Sequence, residues 1–399
     1  MKLLLMPIPD SSMPNPTRIF ASRLLRFCLT SFAVFALVDV VAVPAAAQQR
    51  VGSPQDGRPS DPPRLRRNVR NILGGVPMTD ADSMHQRVVA LLDFDSYKEL
   101  VRGLTQFGDR EQGTPRNAAA VDWIEEQLRG WGYETERLHY MYTPRAGRGA
   151  PSPQPEPREE VYATKIGTTN PDEMYIVSAH MDGRGGGEAA NDDASGTALV
   201  MEIARALASP GVESDMSIRF ALWNNEETGL NGAGAYVEQR AELQGIENPA
   251  GSGQYPEPRW LGMIQHDMMM WDHGNPVTFN QALDADVDVE FQLNSAFAEQ
   301  SAQLGIALIN ANRMHATDYP AVLSNAMSNT DSTPFMDVVP AVSLRENRRL
   351  YETGNGANPH WHQTTDLFET FTDADFTLGL NAAQTTLGAI AKLAGIRIE

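Results

Sequence analysis

Met174–Ala206 reads MYIVSAHMDGRGGGEAANDDASGTALVMEIARA, and the reading of the whole chain starts from it. Met174–Val177 is a short apolar run of the kind that forms a buried strand. His180 and Asp182 follow, then a glycine-rich loop through Gly187, then Asn191-Asp192-Asp193. After Gly196 an apolar helical period begins, with Leu199, Val200, Ile203 and Leu207 on one face. A histidine at a strand end and an aspartate at a helix start are thus joined by a flexible loop. Imidazole and carboxylate together suit zinc or a similar divalent ion. Asp182, two residues beyond His180, is placed to orient that ring from behind. Taken alone, the same stretch also reads as a glycine-rich turn with an aspartate-capped helix.

Outward from this stretch, strands alternate with helices. From Asp80, Val88, Leu91 and Leu92 and then Tyr97, Leu100, Val101 and Leu104 predict one or two short helices. Phe107–Asn117 (FGDREQGTPRN) is loop-like, and Ala118–Trp131 is an amphipathic helix with Val121, Ile124, Leu128 and Trp131 on one side. A strand is expected within Tyr133–Tyr142, a surface loop over residues 143–158, and a strand at Val161–Ile166. Downstream, Ser217–Trp223 alternates as a sheet strand and runs into Asn224-Asn225-Glu226-Glu227-Thr228-Gly229. Residues 244–258 form a Gly/Pro-rich insertion, and Trp260–Gln265 is a strand followed at once by His266-Asp267. Val287–Leu304 reads as helix, Pro340–Leu344 as strand, and Phe376–Leu393 as a closing amphipathic helix. This order argues for an α/β fold whose largely parallel sheet is covered on both faces.

The 399 residues allow one large domain or two ordinary ones, and 42% hydrophobic against 21% charged residues is a globular composition. Residues 1–47 look like a secretory signal: Arg18, Arg23 and Arg26 precede a mostly apolar Phe27–Val43, and Ala45-Ala46-Ala47 offers a cleavage site. The apolar run is short for a membrane span, which takes about 20 residues, and Asp39 interrupts it. Cleavage after Ala47 is expected, giving an exported, periplasmic or secreted protein with no stable membrane association; an uncleaved anchor is the other reading. Residues 48–80 read as a disordered linker or arm. The single cysteine, Cys28, lies within the signal, so cysteine chemistry is excluded and a metal site must use His, Asp and Glu. A net charge of −19 argues against nucleic acid as a partner.

Polar groups recur at strand ends: His180, Asp192, Glu226 with Glu227, and Asp267. The carboxyl ends of strands are where open α/β sheets build their sites. A later segment, Asn358-Pro359-His360-Trp361-His362-Gln363-Thr364-Thr365-Asp366, adds two histidines. One carboxylate at a strand end means little, but four such points and a His-rich segment in one chain define a candidate centre.

In order, S-A-H-M-D, A-N-D-D-A-S-G, N-E-E-T-G, H-D-M and H-Q-T-T-D resemble the two-zinc exopeptidases of the bacterial leucine-type aminopeptidases, glutamate carboxypeptidase and the glutaminyl cyclases. FGDREQGTPRN and Asp331-Ser332-Thr333-Pro334-Phe335 are similar to other parts of that family, so the resemblance spans roughly residues 85–395. It implies a three-layer α/β/α fold with a central mixed, largely parallel sheet, and one catalytic domain over residues 81–399. It further implies two zinc ions, the first held by His180, Asp192 and Asp267 and the second by Asp192, Glu227 and His362. By the same resemblance Glu226 is the general base, Asp182 the partner of His180, and Asp193 the neighbour of the bridging Asp192. His360 competes with His362, and the four-residue spacing from His362 to Asp366 favours His362.

The chain departs from the family pattern at Trp361, where a tyrosine often stands, and at Thr330-Asp331-Ser332, where Ser-Asp-His is usual. The function implied is a zinc-dependent aminopeptidase acting on peptides with a free N-terminus. A carboxypeptidase or dipeptidase would place a cation near the site, for which Arg184, Arg345, Arg348 and Arg349 are the candidates. A glutaminyl cyclase needs only one metal, against the bridging pattern at Asp192. A non-catalytic binding protein on the same fold is the remaining reading, and such proteins lose ligands or the base. The other histidines, among them His85, His139, His266, His273 and His315, are expected at the surface or satisfied in the core. Met268, Met269 and Met270 are expected to pack in the core or pocket wall.

Overall fold

The computed structural model describes residues 79–146, 153–271, 287–325, 327–346 and 358–399. All of them belong to one compact unit, Pro59–Glu399. The expected signal at 1–47 and nearly all of the arm at 48–80 lie outside the described residues, as do Arg348 and Arg349.

Two short helices open the described chain, α1 (Asp80–Val89) and α2 (Phe94–Thr105), followed by α3 (Pro115–Gly130). Their starts are written locally. Thr79 and Asp82 form a reciprocal capping box on α1, Asp93 caps α2, and Thr114 caps α3 with Pro115 in its first turn. The strands are β1 (Thr135–Tyr142), β2 (Glu156–Lys165), β3 (Asn170–His180), β4 (Val212–Glu213), β5 (Met216–Trp223), β6 (Arg259–His266), β7 (Val287–Glu290), β8 (Ala321–Ser324), β9 (Ala341–Arg345) and β10 (Arg397–Ile398). Between them run α4 (Gly196–Leu207), α5 (Asn231–Arg240), α6 (Ala298–His315) and α7 (Asp373–Leu393).

Eight strands form one mixed sheet in the order β1-β2-β5-β3-β6-β9-β7-β8, and β4 pairs with β10 apart from it. The central strands β5, β3, β6 and β9 are parallel; β1 and β2 pair antiparallel with their neighbours, and β7 is antiparallel to β9 but parallel to β8. Alternation along the strands feeds two cores. Val177, Ala179, Phe220 and Leu222 face a large apolar core shared with α2, α3, α4, α6 and α7. Ile176, Ala221 and Trp223 face a smaller one closed by α5 and the turn at Thr333–Phe335. There Trp223, Tyr236, Trp260 and Phe335 pack ring to ring at 4.9–6.1 Å. The molecule is therefore a three-layer α/β/α sandwich with unequal outer layers.

Two local expectations need correction, and one helix was not expected. Val287–Leu304 is not one helix: Val287–Glu290 is a buried strand antiparallel to β9, and the helix starts at Ala298. The alternation Val-Asp-Val-Glu is a strand pattern, and it was outweighed by the helical period that follows. The loop expected over 143–158 ends early, since β2 begins at Glu156 and pairs with Tyr142 of β1. Helix α5 escapes a periodicity reading because it buries only Gly232, Ala233 and Tyr236. Small residues let it sit close to the sheet without an apolar stripe.

Candidate metal centre

Parallel pairing of β5, β3 and β6 brings three strand ends to one edge. His180 lies opposite Trp223, and Ala179 opposite His266, so Glu226-Glu227 and Asp267 emerge beside His180. Asp192 arrives from the turn Ala190–Ser195 that leads into α4, and His362 from the segment before α7. Two triads result, His180–Asp192–Asp267 and Asp192–Glu227–His362, each with its donor atoms within 4.8 Å of one another. Asp192 belongs to both. Its Oδ1 lies 3.3 Å from His180 Nε2, and its Oδ2 lies 3.0 Å from His362 Nε2. Asp267 Oδ1 is 3.9 Å from His180 Nε2, and Glu227 Oε2 is 3.0 Å from His362 Nε2.

The donor chemistry fits divalent cations. Glu227 Oε1 is buried without a hydrogen-bond partner among the described residues, although Oε2 is engaged. Burial pushes the Glu227 carboxyl up to about 7, with the Asp192 charge adding to it. Burial opposes protonation of His362, yet its hydrogen bonds to Asp192 and Glu227 carry it up to about 9. His180 is likewise raised, against burial, by Asp193 and Glu226. Both histidines thus sit among carboxylates whose combined negative charge a bound cation would offset.

The surroundings hold this set in place. Asp182 lies beside His180: its backbone carbonyl meets His180 Nδ1 at 2.9 Å, and its carboxylate is 3.7 Å from the same atom. That carboxylate accepts the backbone N–H of Glu226 at 3.0 Å and of Glu227 at 3.4 Å, fixing the turn that presents both glutamates. Asp366 accepts the N–H groups of Asn191 and Asp192, at 2.8 and 3.1 Å. Asp193 accepts from Gly196 at 2.9 Å and Met268 at 3.1 Å. Asp192 and Asp193 are joined by a cis peptide bond. Non-glycine residues with positive φ cluster here, with Asn225 at 65°, Met268 at 62° and His362 at 54°. Such backbone is held only where surrounding contacts over-determine it.

Glu226 is buried, and burial raises its carboxyl well above the usual range; Asp331, Asp267 and Glu227 add to this while His180 opposes it. It lines a cavity of about 470 Å³ together with residues of both triads. His360 stands apart from the triads: its Nδ1 meets Thr365 Oγ1 at 2.9 Å and its ring packs on Trp271 and Phe371. His266 is a satisfied core histidine, bonded to Ser178 O and Thr386 Oγ1. Met268, Met269 and Met270 are buried, and their backbone N–H groups stitch this segment to the Asn191–Ser195 turn.

Two residues at the centre escaped the sequence reading. Arg110 is fully buried, and its guanidinium donates to the carbonyls of Met181, Glu188 and Ala189, tying both ends of the glycine-rich loop. Glu346 accepts from Asn191, Asn358, Met270 and Trp271. Neither belongs to a ligand pattern; a charged residue followed by full burial is the only signal, and burial is not visible in one sequence.

A model of peptidase family M28 matches residues 161–383, more than half of the chain, including both triads and Glu226. The chain belongs to peptidase family M28. Within curated proteins it is 32% identical over 168 residues to a probable zinc metalloprotease of Leptosphaeria maculans, covering 37% of this chain and 38% of that one. It is 44% identical over 75 residues to an aminopeptidase of Bacillus subtilis, covering 19% of this chain and 16% of that one. The chain thus spans less than two fifths of the length of these curated relatives. Solved structures share the fold at low identity. An aminopeptidase from Aneurinibacillus sp. strain AM-1 aligns with a TM-score of 0.56 and 15% identity over 79% of this chain and 97% of its own. A glutaminyl cyclase from Porphyromonas gingivalis aligns at 0.56 and 18% over 76% and 99%. One M28-type fold thus serves proteins of different activities, so function must be argued from the site.

Proposed function

We propose that this protein is a zinc-dependent aminopeptidase that removes the N-terminal residue of peptides. The observation that carries the reading is Asp192, whose two carboxylate oxygens face two different histidines within two overlapping triads. His180, Asp192 and Asp267 would hold one zinc ion, and Asp192, Glu227 and His362 a second. Bound there, such ions polarise a scissile carbonyl and lower the pKa of water. Glu226, on the cavity wall, serves as general base: it takes the proton of the attacking water and passes it to the leaving amine. Its raised proton affinity suits a group that must hold a proton between those two events. Asp182 keeps Glu226 and Glu227 turned apart by gripping their backbone N–H groups. The surrounding carboxylates give a substrate α-ammonium group its electrostatic partner. Trp361, with its ring 4.2 Å from that of His362, shields the imidazole. An indole donates a hydrogen bond only through its ring nitrogen, so it does not replace a phenol acid for acid. Among the described residues no helix is long and apolar enough to cross a membrane. Export through the N-terminal signal is part of the same proposal.

The test is digestion of a mixed peptide library by the zinc-supplemented protein, each peptide supplied with a free or an acetylated N-terminus. Stepwise loss from free N-termini alone, abolished by chelation, is the expected result in mass spectra. Trimming of acetylated peptides from the C-terminus would replace the proposal with a carboxypeptidase. Absence of both cleavage and bound metal would end the enzyme reading.

A further inference from the structure

Around the proposed ligands and Glu226, the described wall of the cavity is formed by Tyr142, Arg145, Arg184, Thr228, Gly229, Asn329 and Trp361. A pocket that sorts substrates by an aliphatic side chain needs apolar walls. Here the indole of Trp361 lies over His362 with the rings tilted by 30°. Two of these seven residues are arginines.

Arg184 projects from the glycine-rich loop at the rim of the site. Its guanidinium lies 3.3 Å from Glu227 Oε2 and 2.8 Å from His362 Nδ1, yet the side chain remains 49% exposed. The loop backbone is seated directly on the His362 segment. A Cβ on Gly185, which has φ +106°, would come within 2.6 Å of the His362 carbonyl carbon. Only glycine allows that approach, which sets the Arg184 Cα at the cavity mouth. Arg145 enters the same cavity from the chain just after β1.

We infer that the cavity selects substrates carrying a carboxylate close to the scissile bond, read by the guanidinium of Arg184 with Arg145 as the second cation. With zinc offsetting the charge of Asp192, Glu227 and Asp267, the cations left on the cavity wall to face an anion further along the substrate are the two guanidiniums. A guanidinium presents a planar fork that matches a carboxylate with two parallel hydrogen bonds. The inference deepens the aminopeptidase reading and rests on it: the carboxylates take the substrate amine, and the arginines take an anionic group a short way along the chain. That anion is either the C-terminus of a dipeptide or an acidic side chain beside the cleaved bond.

The experiment uses the zinc-loaded full chain carrying Glu226→Gln, titrated calorimetrically with two matched pairs. Leu-Ala against Leu-Ala amide tests the C-terminal carboxylate, and Leu-Glu amide against Leu-Gln amide tests the side chain. In at least one pair the anionic member should bind about tenfold tighter or more, the scale of a charge-assisted hydrogen bond, and that pair names the source. Adding Arg184→Gln should shrink the preference to about twofold or less, and Arg184→Lys should retain part of it. Arg145→Gln should weaken it by a smaller factor. Equal binding within both pairs, no binding of either anionic probe, or a preference that survives Arg184→Gln would overturn the inference. Wild-type digests of the same probes separate this from the parent reading. Release of leucine without a preference in binding sinks the inference alone, and a preference in binding without leucine release sinks the aminopeptidase.

Discussion

Asp192 concentrates the chemistry of the site in one side chain. Because each of its oxygens faces a different histidine, replacing it should damage both triads at once. Asp192→Asn is expected to lower bound zinc from two ions to one or none in native mass spectrometry and to cut kcat/KM by at least about 10³, the scale of a lost transition-state contact. His362→Ala should remove one ion and leave the other, since His362 belongs to one triad only. Retention of both ions in both variants would contradict the assignment. The strand-end and pre-helix positions of these residues were legible from apolar runs and glycines, while their roles as ligands were what the family resemblance implies. What Asp182 does was not legible. Its carboxylate and its carbonyl are both within reach of the site, and only the turn at Asn224–Glu227 decides that the carboxylate grips backbone and the carbonyl meets His180.

At the level of elements, β2 carries a carboxyl group into the interior. Glu160 is fully buried, with Oε2 accepting the Asn224 N–H at 3.2 Å and Oε1 without a hydrogen-bond partner among the described residues. Burial, with Asp331 and Asp182 nearby, raises its carboxyl well above its ordinary 4.5. The folded state therefore keeps a proton that the unfolded chain has released, so this group's contribution to stability is full below about pH 4.5 and is lost as pH rises above it. Glu160→Gln cannot titrate. Its stability relative to wild type should grow from pH 4.5 upward, by at most about 1.4 kcal/mol per pH unit in denaturant unfolding of the chelated protein. A difference independent of pH would show that Glu160 is ionised in the fold. The same element illustrates a limit of sequence reading. β2 is an antiparallel strand between β1 and β5, and its first residues, Glu156–Arg158, look like the Pro-rich loop before them. Pairing with Met141 and Tyr142 makes them strand.

For the molecule as a whole, the centre ties together segments far apart in the chain. Asp366 holds the Asn191-Asp192 backbone, Arg345 donates to Asp267 at 2.5 Å, and Arg110 bridges the loop of residues 181–189. Zinc bound across these segments stabilises the folded state by mass action, so chelation should lower the melting temperature by several degrees or more, reversibly on adding zinc. Zinc uptake near pH 8 should also release protons, because His362, raised to about 9, must lose its proton before Nε2 can bind metal. Zinc affinity should therefore climb as pH rises towards 9. Calorimetry in buffers of different ionisation enthalpy would detect the release, and a buffer-independent heat would refute it.

The amino-acid sequence alone determined the α/β class, the strand-end positions of His180, Glu226, Glu227 and Asp267, and the choice of His, Asp and Glu as the metal-binding types. Those properties are local: they follow from apolar period, turn chemistry and a cysteine count. Only the tertiary structure decided that Asp192 faces two histidines, that His360 turns away to Thr365 while His362 turns in, and that Arg184 and Arg145 share the cavity with the triads. Each of these depends on strand register and on segments more than a hundred residues apart packing against one another. No local pattern records which way a side chain points once such segments meet.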